Sequence, residues 1–247
     1  MRPYALTIAG FDPSAGAGVL ADVKTLEASG VYGLAACTAL TVQNDVAFER
    51  VSWAPLADVQ DQIRLLRARF RVDFVKVGLV ESLPWLWELL TWLKAHHPTV
   101  QLVWDPVLKA TAGYEFHPRP DAALLAAICQ QLALITPNQP EAQRLLPTAS
   151  AEAAARQLAT WCPVLLKGGH ASGPVATDVL LAHGERHEFT TPRLPHGEKH
   201  GSGCVLSAAI LAQLALGQTL PEACRRGKAY TTQVLASNDT LLGYHFH

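Results

Sequence analysis

The 247-residue chain has little net charge, no long apolar run and no motif of closely paired cysteines. Its 20 basic and 21 acidic side chains give a formal net charge of −1, so no basic field attracts nucleic acid. The longest apolar stretches are interrupted well before the roughly 18 residues that a membrane span needs. The N-terminal apolar stretch is too short for the core of a signal peptide. We expect a soluble protein that binds neither nucleic acid nor membranes.

The cysteines are few, odd in number and irregularly spaced: Cys37, Cys129, Cys162, Cys204 and Cys224. Because no CxxC pair occurs, the pattern argues against a disulfide framework and against a structural zinc site. It favours a reducing compartment, and we expect the protein to be cytoplasmic. The chain also lacks the motif GxxxxGK[ST], which excludes a P-loop, and the GxSxG nucleophile elbow does not occur either.

Short apolar runs alternate with helical patterns along most of the chain. The runs lack the alternation of half-exposed strands, which indicates strands buried on both faces of a parallel sheet. The predicted strands are YALTIAG, LAACTALTVQ, VDFVKVGL, VQLVWDPV, LALITPN and PVLLKGG, and the predicted helices between them are GAGVLADVKTLEASG, LADVQDQIRLLRARF, PWLWELLTWLKAHH, PDAALLAAICQQ, QPEAQRLL and SAEAAARQLATW. This order predicts an α/β fold with a doubly wound sheet.

The pattern changes in the last third of the chain. TDVLLAHG and RHEFTTPRL predict a β-hairpin with His-Gly at its turn. Two closing helices are predicted over about 202–217 and 220–236. No linker, low-complexity tract or fixed-period repeat divides the sequence, so residues 1–247 are predicted to form one domain.

Polar and glycine residues collect where the predicted strands end. These strand ends are Gly10-Phe11-Asp12, Gln43-Asn44-Asp45, Lys76-Val77-Gly78, Asp105-Pro106, Thr136-Pro137-Asn138 and Lys167-Gly168-Gly169. Open α/β sheets bind ligands outside the carboxyl ends of their strands. The sequence therefore predicts an active site along this edge, although each segment taken alone is also explained by turn chemistry.

A first glycine cluster, SAGAGVLAD, carries Gly16, Gly18 and Ala21 at the spacing GxGxxA. In a dinucleotide-binding fold the strand leads directly into the first glycine and an acidic residue ends the second strand. Here five residues intervene after the first strand, and the second strand ends in TVQND. The context disfavours a dinucleotide site.

A second glycine cluster, Gly201-Ser202-Gly203, stands at the start of a predicted long helix. Its backbone N–H groups and the positive end of the helix form an anion site, which could hold the charge on a transferring phosphoryl group. Cys204 follows at once, and we expect the helix terminus to lower the pKa of its thiol. Such a thiol could take a proton from an attacking hydroxyl. The alternative is a small residue buried in the core.

The motifs ALTIAGFDPSAGAGVLADVKT, TALTVQN, KVGLV, WDPVLKATAG, LITPNQPEA, LLKGGH and HGSGCVLSAAI stand in this order along the chain. In their order and spacing the sequence resembles the ribokinase-like superfamily, and within it the hydroxymethylpyrimidine/phosphomethylpyrimidine kinases of thiamin biosynthesis. The resemblance covers essentially the whole chain. It implies a three-layer α/β/α fold with helices on both faces of the sheet. It also implies transfer of the γ-phosphoryl group of ATP to a primary alcohol and then to the monophosphate, with Mg²⁺.

The resemblance assigns roles along the nucleotide side of the site. It implies that Cys204, where related kinases of the superfamily carry Asp, is the catalytic base, beside the turn formed by Gly201, Ser202 and Gly203. It places Asn138 and Glu141, an intact NxxE motif, at Mg²⁺ and phosphate, with Glu141 acting mostly through water. An alternative is a helix start, with Asn138 as N-cap and Glu141 at N3. Lys167 could reach a nucleotide phosphate as a point charge; the alternative is a solvated lysine.

The resemblance also marks a substrate pocket. The resemblance marks Gln43 most strongly. A glutamine amide can pair with a ring nitrogen and the neighbouring amine of an aminopyrimidine; the alternative is a turn residue at a strand end. Asp22 is expected to line the same pocket, and Gly10 would allow close approach of the backbone. Leu79 and Val107 match pocket walls, although by themselves they are indistinguishable from core residues.

One segment departs from the family pattern. In WDPVLKATAG, Lys109 comes two residues early and Thr111 stands where relatives often carry Lys, so contacts of this loop with nucleotide or substrate are not carried over. A pyridoxal or pyridoxine kinase of the same family remains open, as does a non-catalytic pyrimidine-binding protein. The resemblance further implies a homodimer.

Overall fold

A computed structural model describes residues 2–108, 121–169, 173–194 and 198–246 of the chain. The strands are β1 (Tyr4–Phe11), β2 (Tyr32–Gln43), β3 (Phe48–Trp53), β4 (Val72–Val77), β5 (Gln101–Trp104), β6 (Leu134–Ile135), β7 (Val164–Leu166), β8 (Val175–Ala182) and β9 (Glu185–Pro192). The helices are α1 (Gly18–Ala28), α2 (Leu56–Arg69), α3 (Leu83–His96), α4 (Ala122–Cys129), α5 (Gln139–Leu145), α6 (Ala151–Leu158), α7 (Ser202–Ala215) and α8 (Leu220–Leu235). Lys109 and Thr111 lie outside the described residues.

The named strands form one sheet in the order β3-β2-β1-β4-β5-β6-β7-β8-β9. Neighbouring strands pair in parallel along β2-β1-β4-β5-β6-β7, whereas β3 pairs with β2, β8 with β7 and β9 with β8 in antiparallel fashion. The hairpin prediction is confirmed, with His183 and Gly184 at positive φ in its turn. The sequence analysis missed β3, an edge strand whose residues are all at least partly exposed, because such a strand has no buried apolar run.

Helices cover both faces of the sheet, which confirms the predicted three layers. One apolar cluster buries residues of β1, β4 and β5 against α2 to α6, including Ile63, Leu89 and Leu125. The other buries the opposite face against α1, α7 and α8, including Leu26 and Ile210. Apolar contact on both faces explains why the central strands read as unbroken apolar runs.

The order in which the chain adds strands to the sheet reverses at β1. The chain passes from β1 through α1 to β2 on one side, whereas β4 lies on the other side of β1 and the later strands continue outward. Ligands in open α/β sheets bind in the crevice outside the carboxyl ends at such a point. The ends of β1, β4, β5 and β7 therefore outline the expected site. No helix in the described part of the chain is long and apolar enough to cross a membrane.

Candidate functional site

The two glycine clusters of the sequence meet at the carboxyl edge of the sheet. Gly201, which precedes α7, has φ +75°, a conformation that glycine adopts without strain. A Cβ at this position would clash with the carbonyl oxygen of Gly16 and with Ala17. The loop before α1 and the loop before α7 therefore touch through their backbones, and Gly201 is required for that approach.

A buried hydrogen bond between His200 and Asp12 joins these two loops. The Nε2 atom of His200 lies 2.8 Å from an Asp12 carboxylate oxygen, and both side chains are buried. Asp12 also accepts hydrogen bonds from the backbone N–H groups of Ser14 (2.9 Å) and Ala17 (2.8 Å). Burial opposes ionisation, but the bonds from His200, Ser14 and Ala17 hold the pKa of Asp12 below its usual value. The charged carboxylate thus fixes the shape of the first glycine loop.

Cys204 lies in the first turn of α7 with only 9% of its surface exposed. The backbone N–H of Gly18, in the first glycine cluster, lowers the pKa of this thiol slightly. Burial raises the pKa of the Cys204 thiol to about 11, and the nearby ammonium of Lys76 only partly offsets that effect. The expected lowering of this pKa is therefore wrong in its net direction, because burial of the thiolate outweighs the groups that favour it.

Lys76 and Asp22 form a buried ion pair on the neighbouring elements β4 and α1. The Nζ atom of Lys76 in β4 is 2.5 Å from an Asp22 oxygen, and both side chains are completely buried. The other oxygen of Asp22 accepts a hydrogen bond from the Thr7 hydroxyl at 2.5 Å. Asp22 therefore lies at the site, but both of its oxygens are engaged within the protein. Its predicted contact with substrate stays a prediction.

Lys167 extends from the end of β7 toward the start of α7. Its Nζ atom is 2.8 Å from an Asp105 oxygen and 3.6 Å from a Glu141 oxygen. A Cβ at Gly203 would lie 3.2 Å from the same Nζ and 3.5 Å from Asp105. The lysine side chain is 12% exposed, which excludes the solvated alternative. Burial opposes its charge, but Asp105 and Glu141 raise the pKa of Lys167, so it remains an ammonium group.

Asn138 and Glu141 form a complete capping box at the start of α5. The backbone N–H of Asn138 donates to Glu141 at 2.7 Å, and the N–H of Glu141 donates to the Asn138 side chain at 2.8 Å. The helix-start alternative is therefore present in the structure. It leaves the carboxylate of Glu141 beside Lys167, where burial and the charge of Asp105 raise the pKa of Glu141 while Lys167 opposes them. The predicted metal role of this motif stays a prediction.

The expected substrate residues lie around the ends of β1 and β2. Gln43 ends β2, is partly exposed, and makes no side-chain hydrogen bond within the part of the chain that the structure describes. A Cβ on Gly10 would lie 2.9 Å from the Leu79 side chain, so a larger residue there would have to displace that leucine. Leu79 is buried and Val107 is partly exposed. Their contacts with substrate stay predictions.

The described residues contain no group of three or more His, Cys, Asp or Glu side chains arranged to hold a metal ion. Mg²⁺ does not need such a cage, because it commonly binds through one or two carboxylates, several waters and the phosphates of a nucleotide. The carboxylate of Glu141 fits such a Mg²⁺ site, because one of its oxygens accepts the Asn138 N–H and lies beside Lys167 while the other can bind a metal or a metal-bound water.

Sequence reasoning missed His200, and it placed Asp12 and Lys76 among the polar strand ends without giving either of them a role. Asp12 and His200 adjoin the two glycine clusters, and Lys76 stands at a strand end. Their position beside motifs was a usable indication, but their pairings join residues as far as 188 positions apart. Pairings over such distances follow only from the folded chain.

Comparison with known proteins identifies the family. The model of the family described as Phosphomethylpyrimidine kinase matches residues 12–246. The chain is 34% identical to the hydroxymethylpyrimidine/phosphomethylpyrimidine kinase of Salmonella typhimurium, covering 100% of this chain and 98% of that one. It is 36% identical to the thiamine biosynthesis bifunctional protein ThiED of Geobacter sulfurreducens, covering 95% of this chain but only 49% of that longer protein.

A solved structure supports the same assignment at the level of the fold. An ADP complex of Bacillus subtilis pyridoxal kinase superposes with a TM-score of 0.86 at 27% identity, covering 100% of this chain and 98% of that one. This similarity confirms the ribokinase-like α/β fold. The chain belongs to the phosphomethylpyrimidine kinase family.

Proposed function

We propose that this protein transfers the γ-phosphoryl group of ATP to the hydroxymethyl group of 4-amino-5-hydroxymethyl-2-methylpyrimidine, and then to the resulting monophosphate, in thiamin biosynthesis. The observation that carries the proposal is the position of Cys204, buried in the first turn of α7, directly after the turn where Gly201 approaches the backbone of Gly16. The names of the curated relatives support the substrate and the pathway.

The start of α7 is suited to hold the moving phosphoryl group. Gly203 and Cys204 are the second and third residues of the helix, so their N–H groups have no partner inside it. These donors and the positive end of the helix face developing negative charge without having to reorganise. Lys167 adds a fixed positive charge close to Gly203. The turn therefore stabilises a transferring phosphoryl group by position and charge, which is what this reaction needs.

Cys204 supplies the base. As the substrate oxygen forms its bond to the γ-phosphorus, the hydroxyl proton passes to the Cys204 sulfur, and the bond from that phosphorus to the bridging oxygen breaks to release ADP. A base must be ionised to accept the proton, and a thiol with a pKa of about 11 is ionised in only a small fraction of molecules at neutral pH. The thiolate that does form is a stronger base than an ordinary cysteine thiolate, which suits it to accept the proton.

ATP and Mg²⁺ are the proposed cofactors. Lys167 would contact a phosphate oxygen of the nucleotide, and Asn138 and Glu141 would hold Mg²⁺ with the help of water. Mg²⁺, when bound, neutralises phosphate oxygens and orients them. The ADP complex of the Bacillus subtilis relative supports nucleotide binding.

The aminopyrimidine is proposed to bind where β1, β2 and β4 end. The amide of Gln43 would pair with a ring nitrogen and the exocyclic amine, since it offers a donor and an acceptor. Gly10 would let the ring approach the backbone, and Leu79 and Val107 would cover its faces. Asp22 would line the same pocket, where Lys76 and Thr7 hold its carboxylate in place.

The protein is further proposed to be a cytoplasmic homodimer. Its described cysteines are all free, as a reducing compartment requires. Three large apolar side chains of the β2–β3 edge are exposed: Leu40 at 62%, Val42 at 37% and Val46 at 66%. An exposed apolar strand edge is protected when a second copy of the chain covers it.

The test is product formation. The protein is incubated with the pyrimidine alcohol, ATP and Mg²⁺, and products are identified by mass spectrometry, with EDTA as the metal control. We expect the monophosphate first, then the diphosphate, and neither product in EDTA. Binding of the alcohol without any phosphorylated product would overturn the proposal in favour of a non-catalytic pyrimidine-binding protein. A pyridoxal kinase is the second candidate, which the similarity to the Bacillus subtilis structure favours.

A further inference from the structure

A cavity of about 170 Å³ lies between the first glycine loop, the start of α7, the end of α8 and the C-terminal segment that follows α8. Ser14, Gly16, Ser202, Leu235 and Leu242 are among the residues that line it. The volume is far above the ~15 Å³ that a single water needs, and it is below the roughly 300 Å³ at which pockets for whole organic ligands begin. The cavity therefore suits a small polyatomic ion.

The walls of this cavity carry positive charge. Lys24 and Lys199 line it, whereas none of the lining residues that the structure describes is an aspartate or a glutamate. The Nζ atom of Lys24 donates to the carbonyl oxygen of Ala15 at 3.0 Å. That of Lys199 donates to the carbonyl oxygens of Asn238, at 2.5 Å, and of Thr240. Because these partners are neutral oxygens, both ammonium charges can attract an anion.

His200, which also lines the cavity, has one ring nitrogen to offer. Its Nε2 atom is engaged by Asp12 at 2.8 Å, whereas its Nδ1 atom is buried and makes no hydrogen bond within the part of the chain that the structure describes. The side chain is only 5% exposed, and buried polar atoms nearly always have a partner. Nδ1 accepts a hydrogen bond when the ring is neutral and donates one when the ring is protonated. A phosphate ion, which has both hydroxyl and oxyanion oxygens, can satisfy either form.

We infer that this cavity binds inorganic phosphate: Lys24 and Lys199 supply the positive charge, and the Ser202 hydroxyl and the His200 Nδ1 atom supply hydrogen bonds. The site goes beyond the proposed function. Ser202 connects it to the turn proposed for the moving phosphoryl group, but the residues proposed to bind the pyrimidine, ATP and Mg²⁺ do not line it.

His245, on the C-terminal wall, agrees with a positively charged cavity. Its Nδ1 atom lies 2.9 Å from the Tyr230 hydroxyl. Burial, together with the charge of Lys24, lowers the pKa of His245 to about 4. The ring is therefore neutral near pH 7, and the charge that an anion would meet comes from the two lysines.

The test is titration of the full chain with sodium phosphate by isothermal titration calorimetry, without nucleotide or substrate and against sodium chloride of equal ionic strength. We expect one phosphate to bind per chain. Lys24→Met removes a charge and should weaken binding at least tenfold, whereas Lys24→Arg keeps the charge and should weaken it less than threefold. Lys24 is an exposed residue of α1, and Met and Arg are both good helix formers, so both variants should fold.

Two control variants show where the phosphate binds. Lys94→Met removes an ammonium from α3 that also donates to a backbone carbonyl, that of Val100 at 2.7 Å, and it should leave binding unchanged. Lys167→Met removes the charge proposed to contact the nucleotide and should change phosphate binding less than threefold. Loss of binding in Lys167→Met but not in Lys24→Met would place the phosphate in the nucleotide site and overturn the inference. No phosphate binding in the unmodified chain would overturn it as well.

A kinetic readout separates free phosphate from the phosphate group of the substrate. In Lys24→Met the KM for the pyrimidine monophosphate should stay within threefold of its value in the unmodified chain. A tenfold rise in that KM would assign the cavity to the substrate and overturn the inference. Calorimetry needs no turnover, so phosphate binding that depends on Lys24 in a protein without kinase activity would uphold the inference and refute the proposed function.

Discussion

Cys204 is buried, whereas the role of base proposed for it requires an ionised thiol. The helix terminus and the N–H of Gly18 favour the thiolate, while desolvation disfavours it and sets the net direction of the pKa shift. From sequence alone only the helix terminus was visible, so the predicted direction was wrong. The residue could be singled out by its motif, but its ionisation depends on Lys76, Asp22 and Asp105, which the fold brings together.

Substitution of Cys204 tests its role as the base. Cys204→Ala should lower kcat by roughly 10²–10⁴, the usual contribution of a general base, with little change in the melting temperature. Cys204→Asp should retain part of the activity because a carboxylate can also accept the proton. Both are checked by steady-state kinetics at saturating ATP. An unchanged kcat in Cys204→Ala would contradict the assignment.

The unmodified chain and Cys204→Asp should differ in the pH dependence of kcat/KM. Below a pKa of about 11 the thiolate fraction of Cys204 rises tenfold per pH unit, so kcat/KM of the unmodified chain should rise with pH between about 7 and 9. Cys204→Asp should give a flatter profile, because a carboxylate is already ionised in that range. Parallel profiles for the two proteins would show that another group titrates.

At the scale of elements, the helices and central strands were predictable from their apolar patterns, although β6 and β7 are only two and three residues long. α7 and α8 begin at Ser202 and Leu220, as the expected spans of about 202–217 and 220–236 required. β3 was missed because its burial is slight, and a sheet edge gives no apolar run to read. The NxxE motif at the start of α5 was visible in the sequence, but its role was not. The same two residues fit both a helix cap and a ligand site.

Asn138 can be tested so that the cap is preserved. Asn138→Ser keeps a good N-cap residue, so unfolding free energy should change by less than about 1 kcal/mol. If Asn138 also positions Mg²⁺ and phosphate, as proposed, kcat/KM for ATP should fall more than tenfold and the Mg²⁺ requirement should rise. Ser150→Asn, which exchanges one good cap for another at the start of α6, is the control and should leave both unchanged. Full activity in Asn138→Ser would show that Asn138 serves only as the N-cap of α5 and does not position Mg²⁺ or phosphate.

Gly201 joins the two glycine loops, and its substitution should be costly. Gly201→Ala adds a Cβ at φ +75° that also clashes with the backbone of Gly16, so stability should fall by more than the roughly 1–2 kcal/mol of a left-handed alanine. The matched control is Gly217→Ala, which has φ +84° and open space around it. Chemical denaturation measures both. Equal losses in the two variants would show that the contact between loops is not tight.

Across the whole molecule, the resemblance and the topology allowed the fold and the edge of the site to be predicted. The predicted polar strand ends at Asp105, Thr136 and Lys167 do lie together, with the Thr136 hydroxyl donating to Asp105 at 3.0 Å. What could not be read was which of these groups pair with one another. Pairing depends on side-chain distances of a few ångströms, whereas strand order only fixes which ends are neighbours.

The quaternary structure is a prediction at this scale. Sedimentation velocity should show a dimer, and Leu40→Glu/Val42→Glu should shift it to a monomer, because charge on the exposed β2 surface opposes burial against a second copy. Leu65→Glu, which charges a leucine that is 70% exposed on α2, should leave the dimer intact. A monomer in the unmodified chain, or a dimer in the double variant, would contradict the proposed interface.

The most direct test of the central proposal compares two alcohols under identical conditions. kcat/KM with ATP and Mg²⁺ is measured for 4-amino-5-hydroxymethyl-2-methylpyrimidine and for pyridoxine, with Gln43→Leu measured beside the unmodified chain. The account predicts a higher kcat/KM for the pyrimidine and loss of that preference in Gln43→Leu, which cannot offer a donor and an acceptor to the aminopyrimidine edge. A kcat/KM for pyridoxine far above that for the pyrimidine would contradict it.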